Sequence, residues 1–283
     1  MKILVTGCNG QLGHAMQEIS TYLSEWTWKF TDLPELDITN PEQVNQTVKN
    51  FQPDWIINAA AYTDVDGAET NQELAFRVNA EGPHNLAKAV IEANAKLVHI
   101  STDYVFDGTK NEPYTETDQP NPLQVYGKSK LEGETLIQET GVPGIIIRTS
   151  WLYGSHGNNF VKTILRLADE KDEIQVVDDQ IGSPTYVGDL AEAILELLSK
   201  HTFHHLELLH YSNEGGISWY EFARKIIKNK KMNKIKPIIT EELKSKIKRP
   251  KYTVLDFNKS HNKFNLKILN WKDSFNKSFL VNN

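Results

Sequence analysis

Short apolar runs of strand length recur through the first half of the chain, at Ile3 to Val5, Trp55 to Ile57, Leu97 to Ile100 and Gly144 to Ile147, with a further strand end at Lys29-Phe30-Thr31. The main runs do not alternate apolar with polar positions, as expected of strands covered on both faces. Helix-length segments lie between them, at Gln11 to Leu23, Pro41 to Phe51, Asn71 to Ala93 and Gln124 to Glu139. This βαβα order predicts an α/β fold, a doubly wound parallel sheet with right-handed crossovers. After about residue 150 the rhythm breaks. Helices at Leu190 to Ser199 and Trp219 to Lys228 precede a Lys-rich region, so the tail reads as a smaller mixed portion over 151–283 that returns some elements to the main sheet.

Composition narrows the function classes. The 283 residues are 39% hydrophobic and 24% charged, with 31 Lys+Arg against 37 Asp+Glu, which excludes disorder and leaves enough apolar material for a substantial core. An acidic balance argues against nucleic acid held on a broad basic face. The local exception is Lys228, Lys230, Lys231, Lys234, Lys236, Lys244, Lys246 and Lys248, interrupted by Glu241 and Glu242, and it reads as a solvated helix-and-loop surface. The single cysteine, Cys8, forbids an intrachain disulfide and fits a reducing compartment. No apolar run is long enough to span a membrane, and Met1 to Val5 reaches Thr6-Gly7 too soon for a signal peptide, so the expected location is cytoplasmic. The nine histidines show no metal-ligand spacing and no metal is expected.

Gly7-x-x-Gly10-x-x-Gly13 lies between the first strand and the first helix. One glycine permits a sharp turn, one lets backbone approach a diphosphate, and one lets helix pack on strand, while the helix N-terminus offers N–H groups and partial positive charge. Residues 1–150 therefore read as a Rossmann-type dinucleotide-binding domain, and 151–283 as mainly substrate-binding. A carboxylate at the second strand's end accepts ribose hydroxyls, and Asp32 stands there; Asp37 either approaches the adenine or helps cap the Pro41 helix. Lys29 keeps NADPH open beside NADH.

Ser101-Thr102-Asp103 ends the fourth apolar strand, and Tyr126 and Lys130 follow at helical spacing i, i+4, about 6 Å of rise apart. An ammonium one turn along would stabilise tyrosinate and lower the phenol pKa, making Tyr126 a proton donor or acceptor. Lys130 could also hold a nicotinamide ribose, and Thr102 could polarise the reacting oxygen.

These motifs, with Asn58-Ala59-Ala60-Ala61, resemble the extended short-chain dehydrogenase/reductase superfamily. The blocks Asn58 to Asp66, Ser101 to Asp107, Val125 to Lys130, Arg148 to Tyr153, Gly157 to Phe160 and Asp179 to Thr185 are similar to its dTDP-4-dehydrorhamnose reductase family. That resemblance implies reduction of the C4 ketone of dTDP-4-dehydro-6-deoxy-L-mannose by NADPH or NADH, with Tyr126 protonating the oxygen. It puts Gly10, Gln11 and Leu12 on the cofactor diphosphate, Asp32, Asp37 and Ile38 at the adenosine end, and Ala61, Tyr62 and Thr63 along its length. Thr102, Asp103 and Trp151 would touch the sugar; Trp151 suits either stacking or the core. Asn79 is expected beside the active helix through a backbone contact, and Arg249 is either a ligand of the substrate diphosphate or a surface arginine. Ala15 and Gly188 stand where some relatives carry glutamates for a dimer-bridging Mg²⁺, so a metal-linked dimer loses support, although a homodimer of another kind stays open. Two rivals share the superfamily: a non-catalytic NADP-binding regulatory subunit like that of methionine adenosyltransferase, and a nucleotide-sugar epimerase or dehydratase.

Overall fold

In the computed structural model, which describes residues 1–227, 234–243 and 247–280, the apolar runs become the strands of one parallel sheet. The first half runs β1 (Lys2–Thr6), α1 (Gln11–Ser20), β2 (Thr27–Thr31), α2 (Pro41–Phe51), β3 (Trp55–Asn58), α3 (Val65–Thr70), α4 (Gln72–Phe76), a π-helical turn (Arg77–Glu81), α5 (Gly82–Glu92), β4 (Lys96–Thr102), α6 (Val125–Thr140) and β5 (Gly144–Thr149). The remainder adds β6 (Leu152–Tyr153), α7 (Phe160–Glu170), β7 (Ile174–Val177), β8 (Ile181–Gly182), β9 (Thr185–Tyr186), α8 (Val187–Lys200), β10 (Leu206–His210), β11 (Ile217–Ser218), α9 (Trp219–Ile226), β12 (Ile235–Ile238), α10 (Asn258–Asn262) and α11 (Trp271–Leu280). Among the described residues the main sheet has the order β10-β5-β4-β3-β1-β2, all parallel, so the chain turns back at β1 and the doubly wound reading holds.

Burial explains why those strands lack polar alternation. Ile3, Val5, Trp55, Ile57, Ile145 and Ile147 face α1 and α8, while Leu4, Ile56, Leu97 and Ile146 face α2, α5 and α6, so both sides of every central strand are in a core. Each such side chain stabilises by roughly 1.5–3 kcal/mol relative to exposure. A third cluster, around Tyr153, Phe222, Trp271 and Phe275, joins α7, α9 and α11 beside the sheet.

Local chemistry sets the boundaries. Asn40 caps α2, its side chain accepting N–H bonds from Glu42 and Gln43, and Pro41 supplies the first helical residue. This removes Asp37 from the capping role; its own N–H instead donates to Gln43 Oε1 at 3.0 Å. The helix expected over Asn71 to Ala93 is interrupted by the π-helical turn. Pro83 has no N–H to give to the Asn79 carbonyl, and that carbonyl packs against Gly133 on α6, where a Cβ would lie 2.1 Å from it. Helix α1 stops at Ser20 rather than Leu23, in a turn through Thr21 and Tyr22.

Part of the Lys-rich stretch is the strand β12 rather than helix or loop, paired with β7. Lys234 donates to the carbonyls of Ala168 and Lys171, and Lys236 and Lys248 are exposed. Lys228, Lys230, Lys231, Lys244 and Lys246 lie outside the described residues. No helix among the described residues is long and apolar enough to cross a membrane.

Candidate active site

The carboxyl ends of β1, β3, β4 and β5 open on one cleft of about 620 Å³. A doubly wound sheet receives its ligand at this edge. The chain leaves β1 through Gly7, whose φ is +71° and whose Cα approaches β3 so closely that a Cβ would lie 2.4 Å from the Ala60 nitrogen. Gly10 precedes α1 with no side-chain cap and gives its own N–H to the Gly7 carbonyl at 3.1 Å, and Gly10, Gln11 and Leu12 line the cleft, where the first N–H groups of α1 have no partner within the helix. Gly13 lies beneath the cleft, where a Cβ would meet the Gly7 carbonyl at 2.4 Å, so its work is close packing of α1 on the turn.

Asp32 lines the cleft at the end of β2 and accepts N–H bonds from Asn9 at 2.9 Å and Leu33 at 2.8 Å, tying the glycine turn to the neighbouring strand. Asp37 accepts from the Thr39 N–H and hydroxyl, and with Ile38 walls the same end. Leu33, Leu36 and Thr39 complete that wall; the sequence reading missed them because irregular loop has no periodicity to reveal a face. Ala61 and Thr63 line the cleft and Tyr62 does not. The Tyr62 backbone is gripped by the buried Asn79 side chain, which accepts its N–H at 2.8 Å and donates to its carbonyl at 3.0 Å, while the phenol turns toward Gly67 on α3. Asn79 also donates to Ser129 Oγ at 3.0 Å, so it meets α6 through its side chain as well as through the carbonyl on Gly133.

Thr102, Asp103, Tyr126 and Lys130 come together at the opposite end of this cleft from Asp32 along the strand edges. Gly127 lets α6 approach this point, since a Cβ there would lie 2.2 Å from the Tyr104 carbonyl. The Tyr104 and Tyr126 rings meet edge to face at 6.0 Å. Burial pushes the Tyr126 phenol up to about 12, opposed by a hydrogen bond from Thr102 and aided by the Asp103 charge. Burial likewise brings Lys130 down to about 8 and raises Asp103 to about 7, the latter opposed by hydrogen bonds from Thr253 and Thr102.

The expected acidification of Tyr126 by Lys130 is therefore absent from this state. Lys130 Nζ donates to the Ile100 carbonyl at 2.6 Å and lies 3.3 Å from His99 Nε2, so its amino group points into the sheet while burial governs the phenol. The Ser101 hydroxyl is engaged too, donating at 2.5 Å to Glu134, which forms a buried ion pair with Arg148 at 2.6 Å. Glu134 lies one further turn along the face that carries Tyr126 and Lys130.

Trp151 lines the cleft with φ +45° and stacks on Trp219, ring centroids 3.4 Å apart and planes 8° from parallel. Gly157 and Asn158 line it as well, from a loop fastened to the glycine turn by the Asn159 amide on Gln11 Oε1 at 3.0 Å. Arg249 pairs with Asp66 of α3 at 2.8 Å and does not line the cleft. Among the described residues no group of three or more His, Cys, Asp or Glu side chains could hold a metal ion.

A glycine turn after β1, with Thr102 at the end of β4 beside Tyr126 and Lys130 of α6 on one parallel sheet, defines an extended short-chain dehydrogenase/reductase. More narrowly, the chain belongs to the RmlD substrate binding domain family, whose model matches residues 1–281. It is 41% identical over 283 residues, 96% of each chain, to a dTDP-4-dehydrorhamnose reductase of Aggregatibacter actinomycetemcomitans. It superposes with TM-score 0.91 on the crystal structure of the Bacillus anthracis dTDP-4-dehydrorhamnose reductase in complex with NADP, at 44% identity and 99% coverage of both chains. A Clostridium acetobutylicum dTDP-4-dehydrorhamnose reductase gives TM-score 0.93 at 41% identity, again over 99% of each chain.

Proposed function

We propose that this chain reduces the C4 ketone of dTDP-4-dehydro-6-deoxy-L-mannose to dTDP-L-rhamnose, using NADPH or NADH. The observation that carries the reading is the continuity of the cleft, which joins the uncapped start of α1 at Gly10 to Thr102, Tyr126 and Lys130. Its residues fit a dinucleotide. The N–H groups at Gln11 and Leu12 suit a diphosphate, the cleft-lining Gly10 has no side chain to stand in its way, and Asp32 and Asp37 stand at the end where the adenosine would lie.

A bound reduced nicotinamide supplies the hydride that reaches C4. Tyr126, protonated at neutral pH because burial pushes its phenol up, donates a proton to the C4 oxygen as negative charge develops there. Thr102 orients that oxygen by hydrogen bonding, and the Lys130 ammonium holds the nicotinamide ribose and stabilises the tyrosinate left behind. Asp103 and Trp151 bound the sugar end, where the portion from 151 to 283 contributes the Trp219 ring beneath Trp151. The test is purified protein with the dTDP-keto-sugar, following nicotinamide absorbance and the C4 stereochemistry of the product. Oxidation of NADPH with formation of the L-rhamno product supports the reading. NADPH binding without turnover would favour a non-catalytic NADP-binding subunit instead.

A further inference from the structure

Beneath the cleft a file of buried polar groups crosses the sheet from β1 to α6. The Thr6 hydroxyl donates to Asn58 Oδ1 at 2.8 Å and the Ala60 N–H donates to the same oxygen at 3.2 Å. Asn58 Nδ2 lies 3.0 Å from His99 Nδ1, and His99 Nε2 lies 3.3 Å from Lys130 Nζ. Thr6, Asn58, His99 and Lys130 are each at most 2% exposed, so bulk water is shut out of this chain of contacts.

One group fixes the direction of the whole file. A backbone N–H can only donate, so the Ala60 contact orients the Asn58 amide with its oxygen toward Ala60 and its NH₂ toward the imidazole. His99 Nδ1 must then accept, and a neutral ring carries its proton on Nε2, facing Lys130. An ammonium has three donors and no acceptor, and would meet that N–H donor to donor. An amine has a lone pair for it and still keeps a hydrogen for the Ile100 carbonyl at 2.6 Å.

We propose that His99, locked by Asn58, is a positioning residue that disfavours the Lys130 ammonium in the cofactor-free cleft and thereby lowers the pH at which the lysine loses its charge. Its kinetic consequence rests on the reductase reading above; its tautomeric core does not. Charging His99 would set two cations side by side, and burial, reinforced by Lys130, holds the imidazole well below its ordinary range. The other groups facing Lys130 are few. Glu134, on the same helix, favours the ammonium, but its carboxylate is already bound by Arg148 of β5 and Ser101 of β4. Tyr126 shares the face of α6, and Asp103 at the end of β4 acts on the phenol.

The tautomer can be read directly by ¹⁵N NMR of the full chain labelled at histidine, without cofactor. The expected His99 spectrum has an unprotonated Nδ1 and a protonated Nε2 through the neutral range; a protonated Nδ1 overturns the proposal. Kinetically, His99→Leu removes the opposing N–H, and the alkaline limb of kcat/KM and of NADPH affinity is expected to move upward by about one pH unit, a tenfold change in the lysine equilibrium. His99→Gln, whose amide can present a donor at the same place, is expected to keep the limb near that of the parent chain. Loss of rate at every pH with the limb unmoved, the signature of a merely structural residue, overturns the assignment. Should the chain prove not to reduce the keto-sugar, the NMR tautomer and the pH dependence of NADPH affinity still decide the question.

Discussion

Removing a single oxygen atom gives the sharpest test of the assigned chemistry. Tyr126→Phe keeps the ring, and with it the edge-to-face contact with Tyr104 at 6.0 Å. It deletes the phenol that Thr102 bonds. Thr102 does not become an orphan, because its hydroxyl still lies 3.2 Å from Asp103 Oδ1 and accepts the Tyr104 N–H at 3.2 Å. The folded state therefore loses one hydrogen bond, about 0.5–1.5 kcal/mol, and a chain of this length should melt only a few degrees lower. Loss of the general acid is a larger effect, roughly 10²–10⁴ in turnover, or about 2.7–5.4 kcal/mol of barrier. Cofactor affinity should stay within a few-fold, since the proposed diphosphate contacts lie at Gly10, Gln11 and Leu12. The assay is a single-turnover trace of NADPH absorbance, with an NADPH titration and a melting curve on the same preparation. Turnover within tenfold of the parent chain would show that the proton comes from elsewhere, and a large loss of NADPH affinity would make the phenol a binding group.

Other consequences are open to simpler measurements. Gly7→Ala places a Cβ 2.4 Å from the Ala60 nitrogen at φ +71°, so NADPH affinity should fall at least tenfold with a lower melting temperature; unchanged titrations would separate the turn from the cofactor. Glu134→Gln leaves the Arg148 guanidinium buried at 3% exposure without its counter-charge and should destabilise by roughly 3–5 kcal/mol, whereas Glu134→Leu with Arg148→Met should recover most of the loss in a denaturant titration. Asp103 has a folded pKa raised from 3.8 to about 7, so the folded state binds the extra proton between those values and this group's contribution to stability falls as pH rises across that window, then levels off. Asp103→Asn should accordingly gain melting temperature relative to the parent between pH 4 and pH 7, and a difference that does not change with pH would contradict the burial argument.

What the sequence displayed and what it concealed divide along physical lines. The bounds of α2 were legible because Asn40 and Pro41 write the start of a helix locally, and the Gly7, Gly10 and Gly13 spacing states a backbone requirement that no distant residue can alter. Tyr126 and Lys130 were legible as a shared helical face. The direction of the Lys130 side chain was not, since it depends on Ile100 and His99, a strand that only folding brings alongside. Trp219 beneath Trp151, and Asp66 opposite Arg249, were hidden for the same reason. The orientation of Tyr62 was hidden as well, because it is dictated by Asn79, inside a π-helical turn whose Asn79 carbonyl packs against Gly133 of α6.

Sheet order has a consequence for biosynthesis. Strand β5, with the segment Gly-Ile-Ile-Ile-Arg-Thr, has β4 on one side and β10 on the other, and Leu206 of β10 follows Thr149 by 57 positions. At a synthesis rate of roughly 5–20 residues per second, about 3 to 11 s pass at the ribosome before that partner has even been made. Throughout that delay the nascent chain carries an unpaired, isoleucine-rich edge of the kind that recruits other strands. The amino-terminal half thus finishes its sheet only after β10 has been made, well into the second half of the chain.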